Sequence, residues 1–378
     1  MKTNLLKSMI SICMTFLIST TMVFANDSVQ GNLTSSELLA GSNENGVITL
    51  NGNVTLTDPL KINGKNYTID LNGNTLKLTK DSNLFTNNAN VTFKNGTLNL
   101  DGVKGNADCI LGVGNYGSSA NLTLDAVNLQ ANNYKSPYAL IYVYNDSTLN
   151  VENHSVINAK NEKSLSGGVI KTNSGKAGTI NITDSDLNFE NTARGFLDGT
   201  INIKNSTVNM KGLSNGINSS SNGLDLTLDN SEVSITGSIG RALTLDGTNV
   251  KVKNNSALNL SNSLTDDILF RSVGKIEVDP TSQLNFKTIN LDESIEGTDL
   301  NNLIVSENYD YKLDSKGHRV IVEEHHNTEN NTESNTENQT DIPQTGDDSN
   351  VYPMIGVAIT SLIGLIYLRK TSPRKDMI

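Results

Sequence analysis

From about residue 47 to 290 the chain repeats one phrase: two or three apolar residues alternating with polar ones, a short Asn, Ser or Gly turn, then a second alternating pair. Alternation with a period of two predicts strands with one buried face. Clear instances are Ile69-Asp70-Leu71 with Leu76-Lys77-Leu78, Val91-Thr92-Phe93 with Leu98-Asn99-Leu100, and Ile180-Asn181-Ile182 with Leu187-Asn188-Phe189. Ile201-Ile203 with Val208-Met210, Leu226-Leu228 with Val233-Ile235, Val250-Val252 with Leu258-Leu260 and Ile276-Val278 with Leu284-Phe286 follow the same plan. Successive phrases advance by roughly 21 to 31 residues, a period that predicts a solenoid.

Between phrases lies a third apolar piece, such as Val169-Ile170, Phe196-Leu197, Ala242-Leu243-Thr244-Leu245 or Ile268-Leu269-Phe270. Each period thus supplies about three short strands, and one period is one coil. Coils stacked at about 4.8 Å, roughly ten of them, would make a rod about 50 Å long. The fold class expected is all-β, a right-handed parallel β-helix over residues 47–300. Turn chemistry agrees: Asn72-Gly73, Asn95-Gly96, Asn205-Ser206, Asn230-Ser231 and Asn255-Ser256 fall between paired strands, where Asn and Gly tolerate left-handed backbone angles. Asn side chains at equivalent turns can also stack as a hydrogen-bonded ladder. A two-sheet sandwich is the rival, less suited to strands this regular with no evident long hairpins or aromatic core.

An open solenoid end exposes unpaired backbone and needs a cover. Within the N-terminal segment 26–46, Thr34-Ser35-Ser36-Glu37-Leu38-Leu39-Ala40-Gly41 predicts a short capping helix with a polar start and a Gly stop. At the other end, over 301–324, Leu303-Ile304-Val305 and Arg319-Val320-Ile321-Val322 flank a turn at Ser315-Lys316-Gly317 and predict a closing hairpin. Residues 325–341 repeat an Asn-Thr-Glu phrase with almost nothing to bury, which predicts a disordered spacer. His325 and His326 adjoin it without further ligands, so no metal site is expected.

Both ends carry addresses. Residues 1–25 hold Lys2 and Lys7, an apolar run from Ile10 to Phe24 and then Ala25 before Asn26, the pattern of a secretory signal. The other terminus, 342–378, reads Ile342-Pro343-Gln344-Thr345-Gly346, a polar stretch, an apolar run of 18 residues from Val351 to Leu368, then Arg369, Lys370, Arg374 and Lys375. Such a run is just long enough to cross a bilayer as a transmembrane helix, and the basic tail would hold its end on the cytoplasmic side. This order resembles the sorting signal of Gram-positive cell-wall-anchored proteins, with Ile342 where the family usually has Leu. The resemblance implies that a sortase cysteine attacks the carbonyl between Thr345 and Gly346 after transient membrane insertion. The new C-terminus then passes to a peptidoglycan amine, leaving the protein covalently wall-bound. A plain single-pass anchor fits the same charge and apolar length, and either way the β-domain faces outward.

Composition narrows the picture further. Charged residues sum to −11 and there is no Trp, so the core must be aliphatic and a nucleic-acid surface is not expected. The cysteines are Cys13 and Cys109, the first in the segment expected to be removed, so packing must supply stability without an internal disulfide. Cys109-Ile110-Leu111 reads as buried strand.

The phrases Ser36-Glu37-Leu38-Leu39, Ile48-Thr49-Leu50-Asn51-Gly52-Asn53, Ile62-Asn63-Gly64-Lys65 and Ile69-Asp70-Leu71-Asn72-Gly73-Asn74-Thr75-Leu76 resemble the pectate-lyase-like adhesive domains of Gram-positive surface proteins. The resemblance covers about residues 34–300 and implies adhesion or surface display without catalysis. β-Helices also host polysaccharide lyases and hydrolases, and fold alone does not choose between them. A hydrolase would need converging carboxylates. Asp184 with Asp186 and Asp266 with Asp267 sit beside turns, where acids usually cap a bend. A lyase would want a base near bound cations, and the solenoid offers Arg194, Arg241 and Arg271. Arg194 and Arg241 occur in parallel phrases, which predicts one face about two coils apart and an architectural stack of Arg and Asp. His154 reads as a turn residue. No catalytic residue and no cofactor is therefore assigned.

The best pointer to a binding face is Tyr138-Ala139-Leu140-Ile141-Tyr142-Val143-Tyr144, with Tyr116 and Tyr134 in the preceding coil. Alternation sends Ala139, Ile141 and Val143 inward and Tyr138, Tyr142 and Tyr144 outward. An exposed Tyr stripe suits contact with a glycan or an extracellular-matrix protein, since the ring is apolar and the hydroxyl polar. Tyr also simply favours strand surfaces or packs under a long loop. The chain is expected to be a wall-anchored adhesin. A polysaccharide-cleaving enzyme on the same scaffold or a passive surface-display spacer are the alternatives.

Overall fold

The computed structural model of the protein describes residues 29–324, apart from 80, 106–107, 162–167, 174–177, 221–222, 316 and 318. The expected signal segment 1–25, spacer 325–341 with His325 and His326, and sorting segment 342–378 with its transmembrane helix lie outside the described residues.

The described chain is nearly all β and winds into a parallel β-solenoid of about 11 turns. Each coil gives one strand to each of three ladders. The first ladder continues through Thr148–Glu152, Thr179–Thr183 and Gly199–Lys204 to Ile304–Ser306. The second runs through Val156–Lys160, Asp186–Glu190 and Thr207–Lys211 to Gln283–Asn285. The third is a separate 10-stranded sheet from Leu60–Asn63 to Ile289–Leu291. Long strands such as Asn90–Asn99 and Asn121–Asn132 turn the corner and serve the first two ladders, which therefore join in one 19-stranded sheet. Every ladder pairing in the solenoid is parallel, so the sandwich alternative is excluded.

Register places like side chains over like. Leu122, Leu149, Ile180, Ile201, Leu226, Val250 and Ile276 follow one another along the first ladder, all buried. Each burial of that size stabilises by roughly 1.5–3 kcal/mol. No Trp is needed because a coil interior is filled by aliphatic columns. The expected third pieces fall on the third ladder, where two successive residues, Val169 and Ile170, both enter the core.

Corners are built by polar columns. Asn72, Asn95, Asn205, Asn230 and Asn255 have φ of 49°, 58°, 49°, 48° and 61°, the left-handed region expected of them. Asn230 Nδ2 donates to Asn205 Oδ1 at 2.9 Å, and Asn205 Nδ2 to Asp184 Oδ1 at 3.0 Å. A second Asn ladder runs on the strand face, from Asn202 to Asn181 at 3.0 Å and Asn181 to Asn150 at 2.9 Å. Beside the corner lies a buried serine column: the N–H groups of Ser185, Ser206, Ser231 and Ser256 donate to Oγ of Ser206, Ser231, Ser256 and Ser282 at 3.0–3.1 Å. These bonds satisfy N–H groups that the turn removes from the ladders.

The helix Ser35–Ala40 carries a capping box: Thr34 Oγ1 accepts the Glu37 N–H at 3.2 Å, and Glu37 Oε2 accepts the Thr34 N–H at 2.7 Å. Its Leu38 is buried in the core. A strand absent from the sequence expectation, Val29–Leu33, precedes it and pairs in parallel with Val47–Leu56.

At the C-terminal end the hairpin differs from expectation. Ile304–Ser306 adds to the first ladder, and Val320–Glu324 pairs instead with Tyr309–Leu313. The loop arm near Leu303 was drawn into the solenoid because Ile304 continues the buried column of Ile276.

Candidate functional site

The outer face of the third ladder carries the tyrosines. Two columns of side chains point away from the core there. One contains Cys109, Ala139, Gly168, Arg194 and Asn215 in register, and the other Phe85, Gly112, Tyr142, Lys171, Leu197 and Asn218. Ala139, expected inward, is displaced because the successive residues Leu140 and Ile141 both enter the core. Gly112 is required between its neighbours, because a Cβ at that position would lie 2.3 Å from the Phe85 ring.

Tyr142 and Tyr144 leave the core as alternation predicts, yet both are buried, which corrects the expected exposed stripe. Their rings stack at 4.3 Å, and Tyr116 lies edge-on to Tyr144 at 5.2 Å. Together with Cys109 and the flank of Phe85 they form a small apolar cluster separate from the main core. Tyr134 is corrected more strongly: it is buried in the main core cluster, and its hydroxyl donates to Gly168 O at 3.3 Å. The exposed members are Tyr116, 75% exposed, and Tyr138, 53% exposed.

Polar groups converge on the same face. The Tyr142 hydroxyl donates to Asn173 Oδ1 at 2.6 Å, and Asn173 Nδ2 donates to Asn145 Oδ1. Hydroxyls of Tyr144 and Tyr116 reach Asp108 Oδ2 at 3.3 and 3.5 Å. Lys171 Nζ stands 4.9 Å from the Tyr138 ring centre and 5.3 Å from that of Tyr142. A cation over two ring faces gains from the ring quadrupoles. Burial lowers the Lys171 pKa, opposed by the charge of Asp198. It raises the Tyr142 and Tyr144 hydroxyls and the Cys109 thiol, with Asp108 adding to the thiol's shift.

Three of the four acids weighed for catalysis make contacts within the solenoid, and the fourth, Asp186, is exposed. Asp184 accepts from Asn205, and Asp267 Oδ2 accepts the N–H groups of Lys287 and Thr288 at 2.9 and 3.3 Å. Asp266 pairs with Arg241 Nε at 3.7 Å, the intercoil Arg and Asp contact foreseen. Arg194 and Arg241 do share a column two coils apart, linked through Asn215, whose side chain accepts the Arg241 N–H at 3.2 Å. Arg194 has no such acid in ion-pair contact, and its Nε, like that of Arg241, is buried without a hydrogen-bond partner. His154 occupies a turn with φ of 63°. No group of three or more His, Cys, Asp or Glu is placed to hold a metal among the described residues.

Sequence reasoning missed a cleft of about 460 Å³ at the C-terminal end, lined by Gln283, Asn285, Phe286, Tyr309, Tyr311 and Val322. It also missed Lys171, which alternation alone places outward without showing the two rings beside it. The Ile342, Pro343, Gln344, Thr345 and Gly346 motif lies outside the described residues. No protein-family model, curated protein or solved structure matches the chain.

Proposed function

We propose that this chain is a wall-anchored surface protein whose solenoid binds an extracellular glycan or matrix protein through the outer face of the third ladder. The observation that carries the reading is Lys171 set beside Tyr138 and Tyr142, next to exposed Tyr116. Exposed aromatic rings with fixed polar neighbours are the usual anchors of recognition surfaces. The secretory pattern of residues 1–25 and the Ile342–Gly346 sequence support export and attachment by a sortase to peptidoglycan. In the same reading the coil is right-handed and the helix Ser35–Ala40 seals its N-terminal end.

Binding depends on Tyr116 and Tyr138, since Tyr142 and Tyr144 are supports beneath them. Bacteria displaying the full chain with Tyr116→Ala and Tyr138→Ala together lose most adhesion to glycan- or matrix-coated surfaces while keeping surface levels. Undiminished adhesion by that double variant rejects the face. Attachment is tested separately: Thr345→Ala moves the protein from the wall fraction to membrane or medium, and an unchanged wall fraction rejects sortase anchoring.

A further inference from the structure

Two cations share the third-ladder face with no carboxylate in ion-pair contact among the described residues. Several cations elsewhere along the solenoid do stand against an acid of the neighbouring coil, as in Lys160 with Glu190 at 2.9 Å, Lys253 with Asp229 at 3.3 Å and Arg241 with Asp266 at 3.7 Å. Lys171 rests near Tyr138 and Tyr142, and Arg194, in the column of Gly168 one coil on, has a buried Nε without a hydrogen bond, as Arg241 has, but lacks the acid that stands beside Arg241. Asp198 is the acid whose charge both cations feel. Its oxygens are already turned to the following coil, where they accept the Ser220 N–H and hydroxyl at 2.6 Å each. Asp108, the other acid near Lys171, receives the hydroxyls of Tyr144 and Tyr116.

A partly desolvated cation without an anion costs free energy that a scaffold has no reason to retain. Where the solenoid neutralises a cation between coils it places an Asp or Glu on the neighbouring coil, and here Gly168 and Asn215 flank Arg194 in its column instead. An anion arriving from outside would regain the lost solvation, most strongly through a charge-assisted bond to the guanidinium. Beside the cations, half-exposed Tyr138 offers an apolar ring face, a surface suited to the C–H face of a pyranose.

Resting on the reading of this face as the ligand surface, we propose that it selects acidic saccharides. A carboxylate or sulfate sits on Arg194 and Lys171, and the sugar ring lies against Tyr138. Because the whole chain carries −11, polyanions are repelled at long range. Recognition of the acid is therefore local and depends on these two residues.

The experiment compares binding of the full chain to oligosaccharides of equal length: a uronic acid, its methyl ester, a sulfated form and a neutral form. The expected result is at least tenfold tighter binding of an acidic form than of the ester and neutral forms. The uronic-acid and sulfated arms then tell which anion is preferred. Lys171→Gln and Arg194→Gln each weaken acid binding about tenfold and so remove most of its advantage over the ester and neutral forms, and Arg194→Lys restores part of the loss. Should Arg194→Gln lower the melting temperature, Lys171→Gln, at a half-exposed position, carries the test alone. Equal binding of acid, ester and neutral forms, with loss on Tyr138→Ala, overturns the selectivity and keeps the ligand face. Binding of no saccharide by the unaltered chain overturns the selectivity outright. The ligand face is then judged by the Tyr116 and Tyr138 adhesion assay on matrix protein.

Discussion

The ring of Tyr142 lies stacked 4.3 Å from that of Tyr144, and both are buried although strand alternation turns them away from the core. A covered outer pair behaves as a second, smaller core. Tyr142→Ala is therefore expected to destabilise the protein by about 3 kcal/mol, as for other buried aromatic truncations. Tyr138→Ala, at a half-exposed position, should stay within about 0.5 kcal/mol of the unaltered chain. Denaturant titration of both variants checks the contrast, and equal midpoints would sink the small-core account.

Ser206 occupies the middle of the buried serine column. Its hydroxyl accepts the Ser185 N–H at 3.1 Å and donates to Lys204 O at 2.6 Å. Ser206→Ala removes one methyl-sized polar group but strands the Ser185 N–H inside the corner. The expected loss is about 1–3 kcal/mol, the desolvation cost of an unmet buried donor. Hydrogen exchange at the Ser185 amide should accelerate in step with the denaturation shift. If that amide keeps its protection, the column does not hold the corner.

The ladders were legible because a period of two is read directly from pairs such as Ile180 and Ile182, and stacking like on like follows from the repeat. Corner geometry was legible at Asn205 and Asn230, whose side chain tolerates the backbone angle required. The serine column was hidden by the same neighbours, since Ser206 and Ser231 look like ordinary turn residues until register superposes them. Tyr134, Tyr142 and Tyr144 were misjudged for a different reason. Alternation gives the direction of a side chain and says nothing of what neighbouring coils, earlier or later, lay over it. Lys171 and Tyr116 come from separate coils, and only the winding brings them to Tyr142 and Tyr144. The strand Tyr309–Leu313 went unread because Asp310 and Lys312 interrupt it and only two rings mark its apolar side.

Cys109 is fully buried between strands of the third ladder, and desolvation, with the Asp108 charge second, drives its thiol pKa upward. The thiolate is the reactive form. At pH 8 the folded protein should therefore resist alkylation over hours, while the unfolded chain reacts within minutes. Mass spectrometry with and without denaturant measures the difference. Rapid modification of the native protein would place Cys109 at the surface and contradict the Tyr142 cluster that covers it.

Tyr311 links the C-terminal hairpin to the solenoid, stacking on Phe286 at 5.9 Å, and its N–H donates to Asn301 Oδ1 at 2.8 Å. Burial, and next the neighbouring Tyr309, raise its hydroxyl pKa to about 12. In the unfolded chain the value is about 10. The folded pKa is the higher one, so the neutral phenol is favoured by folding. Its contribution is fully present below about pH 10 and is lost as pH climbs through about 12. Tyr311→Phe cannot ionise and should lack this alkaline loss. The quantity to measure is the difference in denaturation midpoint between the two proteins at about pH 9 and about pH 11.5, because lysine titration affects both alike. The variant should gain relative to the unaltered chain as pH rises across that window. A difference that stays constant would mean that the phenol is hydrated and the hairpin is not packed against Phe286.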